Sequence, residues 1–221
     1  MDPPLATRGR RSDHRGLGEA LRRAGAAAKE WLEGKHHDPA ASPEGGQHTM
    51  PMCDAYIPEG ALSPSAEREL LGRITVLLLE HEGVDPTNER ARALAWVFVH
   101  RHEMYVAGAP AKAPHYRFVC QVPEGQYNDK RRAAVTAAMT QAVIDAEDGS
   151  RPDPERRVWV FTNEVKDGTW GGLGGRIVRL PDIAELVLGR EFREAAEQVL
   201  AARRRQEAEL LLAAAGERAV A

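Results

Sequence analysis

A chain of 221 residues with 43% hydrophobic content is long enough for one domain with a full core plus tails, and nothing in it calls for two. Its 30 Lys and Arg against 33 Asp and Glu leave a net charge of -3, which removes any whole-protein electrostatic case for nucleic acid or an anionic membrane; an anion site has to be local. No run is apolar enough for a membrane span or for the middle of a signal peptide, and Cys53 and Cys120, without CxxC spacing, read as reduced thiols, so the expected compartment is the cytoplasm.

Residues 1–49 are rich in Arg, Gly, Ala, Pro and His and show no strand alternation, although Gly18 to Gly34 predicts a short Ala-rich helix around Leu21 and Trp31. The segment reads as a disordered or misannotated extension. From Met52 the pattern changes. Cys53 to Ile57 predicts a strand, ended by Pro58-Glu59-Gly60, which removes a donor and then permits a positive φ. Ser63-Pro64 predicts a helix cap and first-turn proline, and Leu70, Ile74, Leu77, Leu78 and His81 recur at helical spacing until Gly83 and Pro86. After a polar loop, Ala95 to Val99 predicts a second strand, with Met104-Tyr105-Val106 as a hairpin arm. Tyr116 to Val122 predicts a third strand. Asn128 caps a second helix carrying Val135, Met139, Ala142 and Val143, and Gly149 and Pro152 end it. Val158 to Thr162 predicts the fourth strand. Gly168 to Gly175 reads as a flexible loop, Arg176 to Leu180 as a short edge strand, and the segment from Arg190 onward as a helix whose triplet Arg203-Arg204-Arg205 is a solvated face.

The chain says the same thing twice. Tyr56-Ile57-Pro58-Glu59-Gly60, an amphipathic run and Trp96-Val97-Phe98 are echoed by Gln121-Val122-Pro123-Glu124-Gly125, a second amphipathic run and Trp159-Val160-Phe161. Two β-α-β units predict an α+β fold in which one four-stranded sheet carries two helices on one face, with strands parallel inside each unit. The organisation expected is an extension at 1–49, a domain at 50–188 with repeats at about 51–108 and 115–175, and a C-terminal helical tail at 189–221.

A duplicated unit that opens on Met50-Pro51, runs into Ser63-Pro64-Ser65-Ala66-Glu67, and ends with Glu164 ahead of Trp170-Gly171-Gly172-Leu173-Gly174-Gly175 resembles the tautomerase superfamily. The likeness is to 4-oxalocrotonate tautomerase and its longer fused relatives, over roughly Pro51 to Leu188. It implies a tautomerase/MIF-like fold, a homotrimer, and a cofactor-free tautomerase-type isomerase acting on a small carboxylate-bearing enol or α-keto acid. It also implies that Pro51 is the catalytic residue. A proline at the very start of a chain is a secondary amine, a proton acceptor that titrates near pH 7.7–8.0, roughly, before burial among apolar walls lowers it. As numbered, that nitrogen is in a tertiary amide with no basic lone pair, so the expectation is that the working chain begins once residue 50 is gone.

For the rest of the site, the resemblance implies Trp170 as an apolar wall, with Glu164 orienting or protonating. Arg117, Arg101 and Arg157 are the candidate cations for the acid group. No metal is expected, because His100-Arg101-His102-Glu103 lacks a third ligand at a recognisable spacing. Leu78, Pro123, Gln126 and Phe161 stand where the cis-specific haloacrylate dehalogenases carry a histidine, two arginines and a tyrosine, and Ala61 stands at an arginine of the short tautomerases. Dehalogenation is therefore disfavoured. The rival expectations are a catalytically silent trimeric binding protein of the same fold, and a decarboxylase or hydratase of small keto or unsaturated acids using the same amine.

Overall fold

The computed structural model describes residues 51–187 and 189–220. The expected extension and its short helix lie outside the described residues. The first unit runs β1 (Met52–Tyr56), α1 (Pro64–His81), α2 (Glu89–Leu94) and β2 (Trp96–His100), followed by a small hairpin of β3 (Tyr105–Val106) and β4 (Ala109–Pro110). The second runs β5 (Tyr116–Pro123), α3 (Asp129–Ala146), α4 (Pro154–Arg157) and β6 (Val158–Val165). After it come β7 (Gly171–Gly172), β8 (Arg176–Ile177), α5 (Leu180–Val187), a 3-10 turn at Arg190–Phe192 and the long α6 (Arg193–Val220).

The four-stranded sheet has the order β2-β1-β5-β6, with β1 and β2 parallel, β5 and β6 parallel, and β1 antiparallel to β5. This is the duplicated α+β fold that the sequence predicts. The central register pairs Cys53 with Cys120 and Asp54 with Val119, and a shift of 65 carries Pro58-Glu59-Gly60 onto Pro123-Glu124-Gly125. The two units are thus related by an approximate two-fold through the β1/β5 ladder. Their helices start alike: Ser63 Oγ accepts from the Ala66 N–H at 3.2 Å and Asn128 Oδ1 from the Arg131 N–H at 2.9 Å.

Alternation along the strands sorts the side chains. Cys53, Ala55, Ile57, Tyr116, Phe118, Cys120 and Val122 face the helices and meet Leu70, Ile74, Val135 and Met139 in the main core. Among the described residues the opposite face is uncovered: Trp96, Phe98, Trp159 and Phe161, the repeated aromatics of both units, stay 51%, 45%, 62% and 39% exposed.

Three local expectations change. Among the described residues Tyr105–Val106 pairs only with Ala109–Pro110, apart from the main sheet. Arg176–Ile177 pairs only with Gly171–Gly172, so it is no edge strand, and Leu180 opens a helix because its backbone N–H donates to Asp167 Oδ1 at 2.7 Å. The polar loop before β2 contains α2, capped by Asn88, whose Oδ1 accepts from the Arg90 and Ala91 N–H groups at 3.0 and 3.2 Å.

Candidate active site

Pro51 is buried, and its carbonyl accepts from the Trp96 N–H at 3.1 Å. Because Met52 pairs with Gln121, Pro51 stands one step further along, level with Val122, which in turn pairs with Glu164. The parallel and antiparallel pairings therefore gather the starts of β1 and β2 and the ends of β5 and β6 at one end of the sheet. Met52 and Trp170 both pack against a second apolar cluster that includes Leu79, Val178 and Ile183. Trp170 thus lies in the same apolar surroundings as Met52, the residue after Pro51.

Glu164 lies two strands from Pro51, roughly 10 Å away at ordinary strand spacing. Its Oε1 accepts from the Tyr127 N–H at 2.9 Å, and its Oε2 meets Arg132 at 3.2 Å. Arg132 also donates to Thr162 and lies over the Tyr127 ring at 5.6 Å. The carboxylate is held in place by these groups.

The three nominated arginines stand elsewhere. Arg117 pairs across from Tyr56, five residues from the Val122 level, roughly 17 Å down the strand. There it lies on the uncovered face between the Tyr56 and Phe161 rings, at 5.1 and 5.0 Å. Arg101, past the end of β2, forms a fork with Glu67 at 2.7 and 2.6 Å. Arg157 is 4% exposed and is committed to Glu147 at 2.9 and 2.7 Å and to the Pro152 and Pro114 carbonyls. Within one protomer, then, Pro51, Trp170 and Glu164 share an end, and Arg117, Arg101 and Arg157 are placed at the other. Strand rise separates them, since each sits at the opposite limit of its strand from the Pro51 level.

The cations that do stand at the Pro51 end escaped the sequence reading. Arg203 of α6 reaches the turn after β5 and donates to the Glu124 carbonyl at 2.6 Å and the Gly125 carbonyl at 3.4 Å. A Cβ on Gly125 would fall on its guanidinium. Arg203, Arg204, Lys166, Glu124, Glu164 and Glu207 line an open cavity of about 300 Å³. Arg204 bridges Glu124 and Glu207, both at 3.1 Å, and Lys166 meets Glu207 at 3.2 Å. Nothing local in Arg203-Arg204-Arg205 signals this, because the partner turn is 78 residues away.

On the helix side of the same end lie three buried polar residues: Glu82, which caps the end of α1, and the consecutive pair Gln126 and Tyr127. Burial pushes the Glu82 carboxyl well above the usual range, with Cys120 adding to the rise and Arg131 opposing it. Burial also pushes the Tyr127 phenol up, and Glu82 adds to that, so the two groups feel each other. Among the described residues, the Tyr127 hydroxyl and the Gln126 amide have no hydrogen-bond partner. An amide and a phenol can both hydrogen-bond a ligand oxygen without bringing a net charge.

No family model matches the chain, and no curated protein does. Among solved structures it is similar to a wild-type fused 4-OT symmetric trimer, at 19% identity and a TM-score of 0.47 over 57% of this chain and 94% of that one. It is also similar to N1, a member of the cis-3-chloroacrylic acid dehalogenase family, at 16% identity and a TM-score of 0.48 over 66% and 99%. A third likeness is to the macrophage migration inhibitory factor of Toxoplasma gondii, at 15% identity and a TM-score of 0.44 over 57% and 99%. These are likenesses of fold alone.

Proposed function

We propose that this chain is a fused-type tautomerase that moves a proton on a small enol or α-keto acid, with the secondary amine of Pro51 as base and then acid. The observation that carries the reading is the placement of Pro51. It is buried at the start of a central strand, beside Met52, which shares an apolar cluster with Trp170. Such surroundings disfavour the ammonium form and bring the amine toward the pH at which a general base works best. For an enol substrate, the O–H bond breaks as the amine takes its proton, leaving the enolate. The C=C pair then takes the proton from the ammonium at carbon as an oxygen pair closes the C=O, and the amine is restored. Glu164, already oriented by Arg132 and the Tyr127 N–H, is available to position the substrate.

The chemistry requires a chain whose first residue is Pro51, so we take residues 1–49 as an extension apart from the working domain at 50–188. The assembly we infer is a homotrimer that covers the aromatic sheet face. A chain that keeps residue 50 on Pro51 is the silent binding protein. Ketonisation of phenylenolpyruvate separates the two. The chain beginning at Pro51 should accelerate it, and Pro51→Ala should remove on the order of 10²–10⁴ of that rate. A rate unchanged by Pro51→Ala contradicts the reading, and carbon dioxide release from a β-keto acid would redirect it to decarboxylation.

A further inference from the structure

Three stretches far apart in sequence close the open cavity at this end of the sheet. The turn after β5 supplies Glu124, the end of β6 and the loop beyond it supply Glu164 and Lys166, and α6 supplies Arg203, Arg204 and Glu207. Its volume of about 300 Å³ is room for a small molecule. The six side chains are not held alike. Glu124 and Glu164 are anchored from outside the cavity: the Asp167 N–H donates to Glu124 Oε2 at 3.0 Å, and the Tyr127 N–H and Arg132 hold Glu164. Arg203 is fixed against the Glu124 and Gly125 carbonyls, an approach open to it because Gly125 has no side chain.

Glu207 is placed differently. It projects from α6 with 46% of its side chain exposed, and its two oxygens are taken by cations from two elements: Lys166 Nζ meets Oε1 at 3.2 Å and Arg204 Nη1 meets Oε2 at 3.1 Å. A free carboxylate or phosphate is seated between two cations in the same way. Exposed pairs of this kind stabilise little, because water and salt compete for both partners. Glu207 can therefore leave at small cost by rotation of its own side chain. The charges that face the cavity then set what replaces it. With Glu207 turned out, the four cations Lys166, Arg203, Arg204 and Arg132 face the two carboxylates of Glu124 and Glu164, while Asp167, which also acts on Arg203, is matched by Arg179 at 3.1 Å, so two positive charges are left over.

We infer that this cavity binds a small dianion, a dicarboxylate or a phosphate monoester, between Lys166 and Arg204, and that Glu207 is the built-in carboxylate that fills the place in the free protein. A dianion satisfies both surplus charges, whereas Glu207 brings a single one. Binding there needs no free amine at Pro51 and is independent of the proton-transfer reading.

The test is calorimetric titration of the full 221-residue chain at neutral pH with succinate and, separately, with inorganic phosphate, chloride keeping the ionic strength constant. At least one of the two should bind saturably. Glu207→Gln removes the internal competitor and should tighten that binding about tenfold, and Lys166→Ala and Arg204→Ala should each weaken it about tenfold. Arg190→Ala, the same loss of charge at a 92% exposed side chain, should leave it unchanged. Damage to the fold cannot raise affinity, so opposite effects of Glu207→Gln and Lys166→Ala read the site itself. Preference for succinate identifies a dicarboxylate ligand, and preference for phosphate identifies a phosphate monoester. The inference is overturned if Glu207→Gln binds neither anion saturably, if it binds no more tightly than the wild type, or if Lys166→Ala and Arg204→Ala leave the affinity where it was.

Discussion

The two units share a backbone plan and differ in what surrounds it. Glu147 and Glu82 occupy equivalent helix ends, yet they titrate in opposite directions. For Glu147 burial acts upward but is outweighed by the bonds from Arg157 and Tyr116, which hold the carboxyl below its usual range. For Glu82 burial prevails and the carboxyl rises. The turns differ too. Gly60 and Gly125 both have positive φ, +68° and +79°, but the space beside Gly60 is open while Gly125 faces the Arg203 guanidinium. The second unit's helix-end glutamate is held by Arg157 and Arg151 and its turn by α6, whereas the first unit's helix-end glutamate, Glu82, is fully buried.

The contrast is most sharply tested at the glutamates. Arg157→Ala strands a buried carboxylate and should cost about 3–5 kcal/mol in denaturant unfolding, whereas Glu82→Gln, an isosteric replacement of a carboxyl whose ionised form burial disfavours, should cost little or stabilise. The pH dependences should oppose each other. Glu147 binds its proton less readily folded than unfolded, so its contribution is present above the ordinary glutamate pKa and is lost as pH falls through the depressed folded value. Glu82 binds its proton more readily when folded, so stability declines as pH rises from the ordinary value toward the raised one, and Glu82→Gln should abolish that decline. Stability curves that slope the same way in Glu147→Gln and Glu82→Gln would break the comparison.

A smaller effect is expected at the turns. Gly125→Ala, which must displace Arg203 as well as hold a left-handed φ, should cost about 1–3 kcal/mol, against about 1 kcal/mol for Gly60→Ala. The difference should shrink in an Arg203→Ala background. Smallest of all is the contact of α6 with the loop after β6, where exposed Lys166 and half-buried Arg204 hold the Glu207 carboxylate below its usual range. Protection factors of the α6 amides near Glu207, with intrinsic exchange divided out, should fall in high salt and as pH drops below that range. Exchange indifferent to both would assign the docking of α6 to its apolar contacts, Ala196 and Val199 against Leu180 and Ala184.

Much of this fold was legible because its signals are local. Ser63-Pro64, Asn128 and the two Pro-Glu-Gly breaks mark element ends within a few residues, and the echoed Trp-x-Phe strands reveal the duplication. α5 was missed because Leu180 follows a strand-like stretch, and its start depends on Asp167, 13 residues back. Arg157 looked like a pocket cation until Glu147 and two carbonyls claimed it. The Pro51 end was legible in Pro51, Trp170 and Glu164. Glu82, Gln126 and Tyr127 were not, because a buried glutamate in a helix-ending Glu82-Gly83 reads from sequence as an exposed cap, and only the packing of α1 against β5 and α3 turns it inward.

The central claim is that an unacylated Pro51 nitrogen does the chemistry. It is tested most directly by comparing phenylenolpyruvate ketonisation by the chain beginning at Pro51 with that by the same chain carrying one extra residue ahead of Pro51. The account predicts turnover from the first and buffer-level rates from the second; equal rates from the two would contradict it.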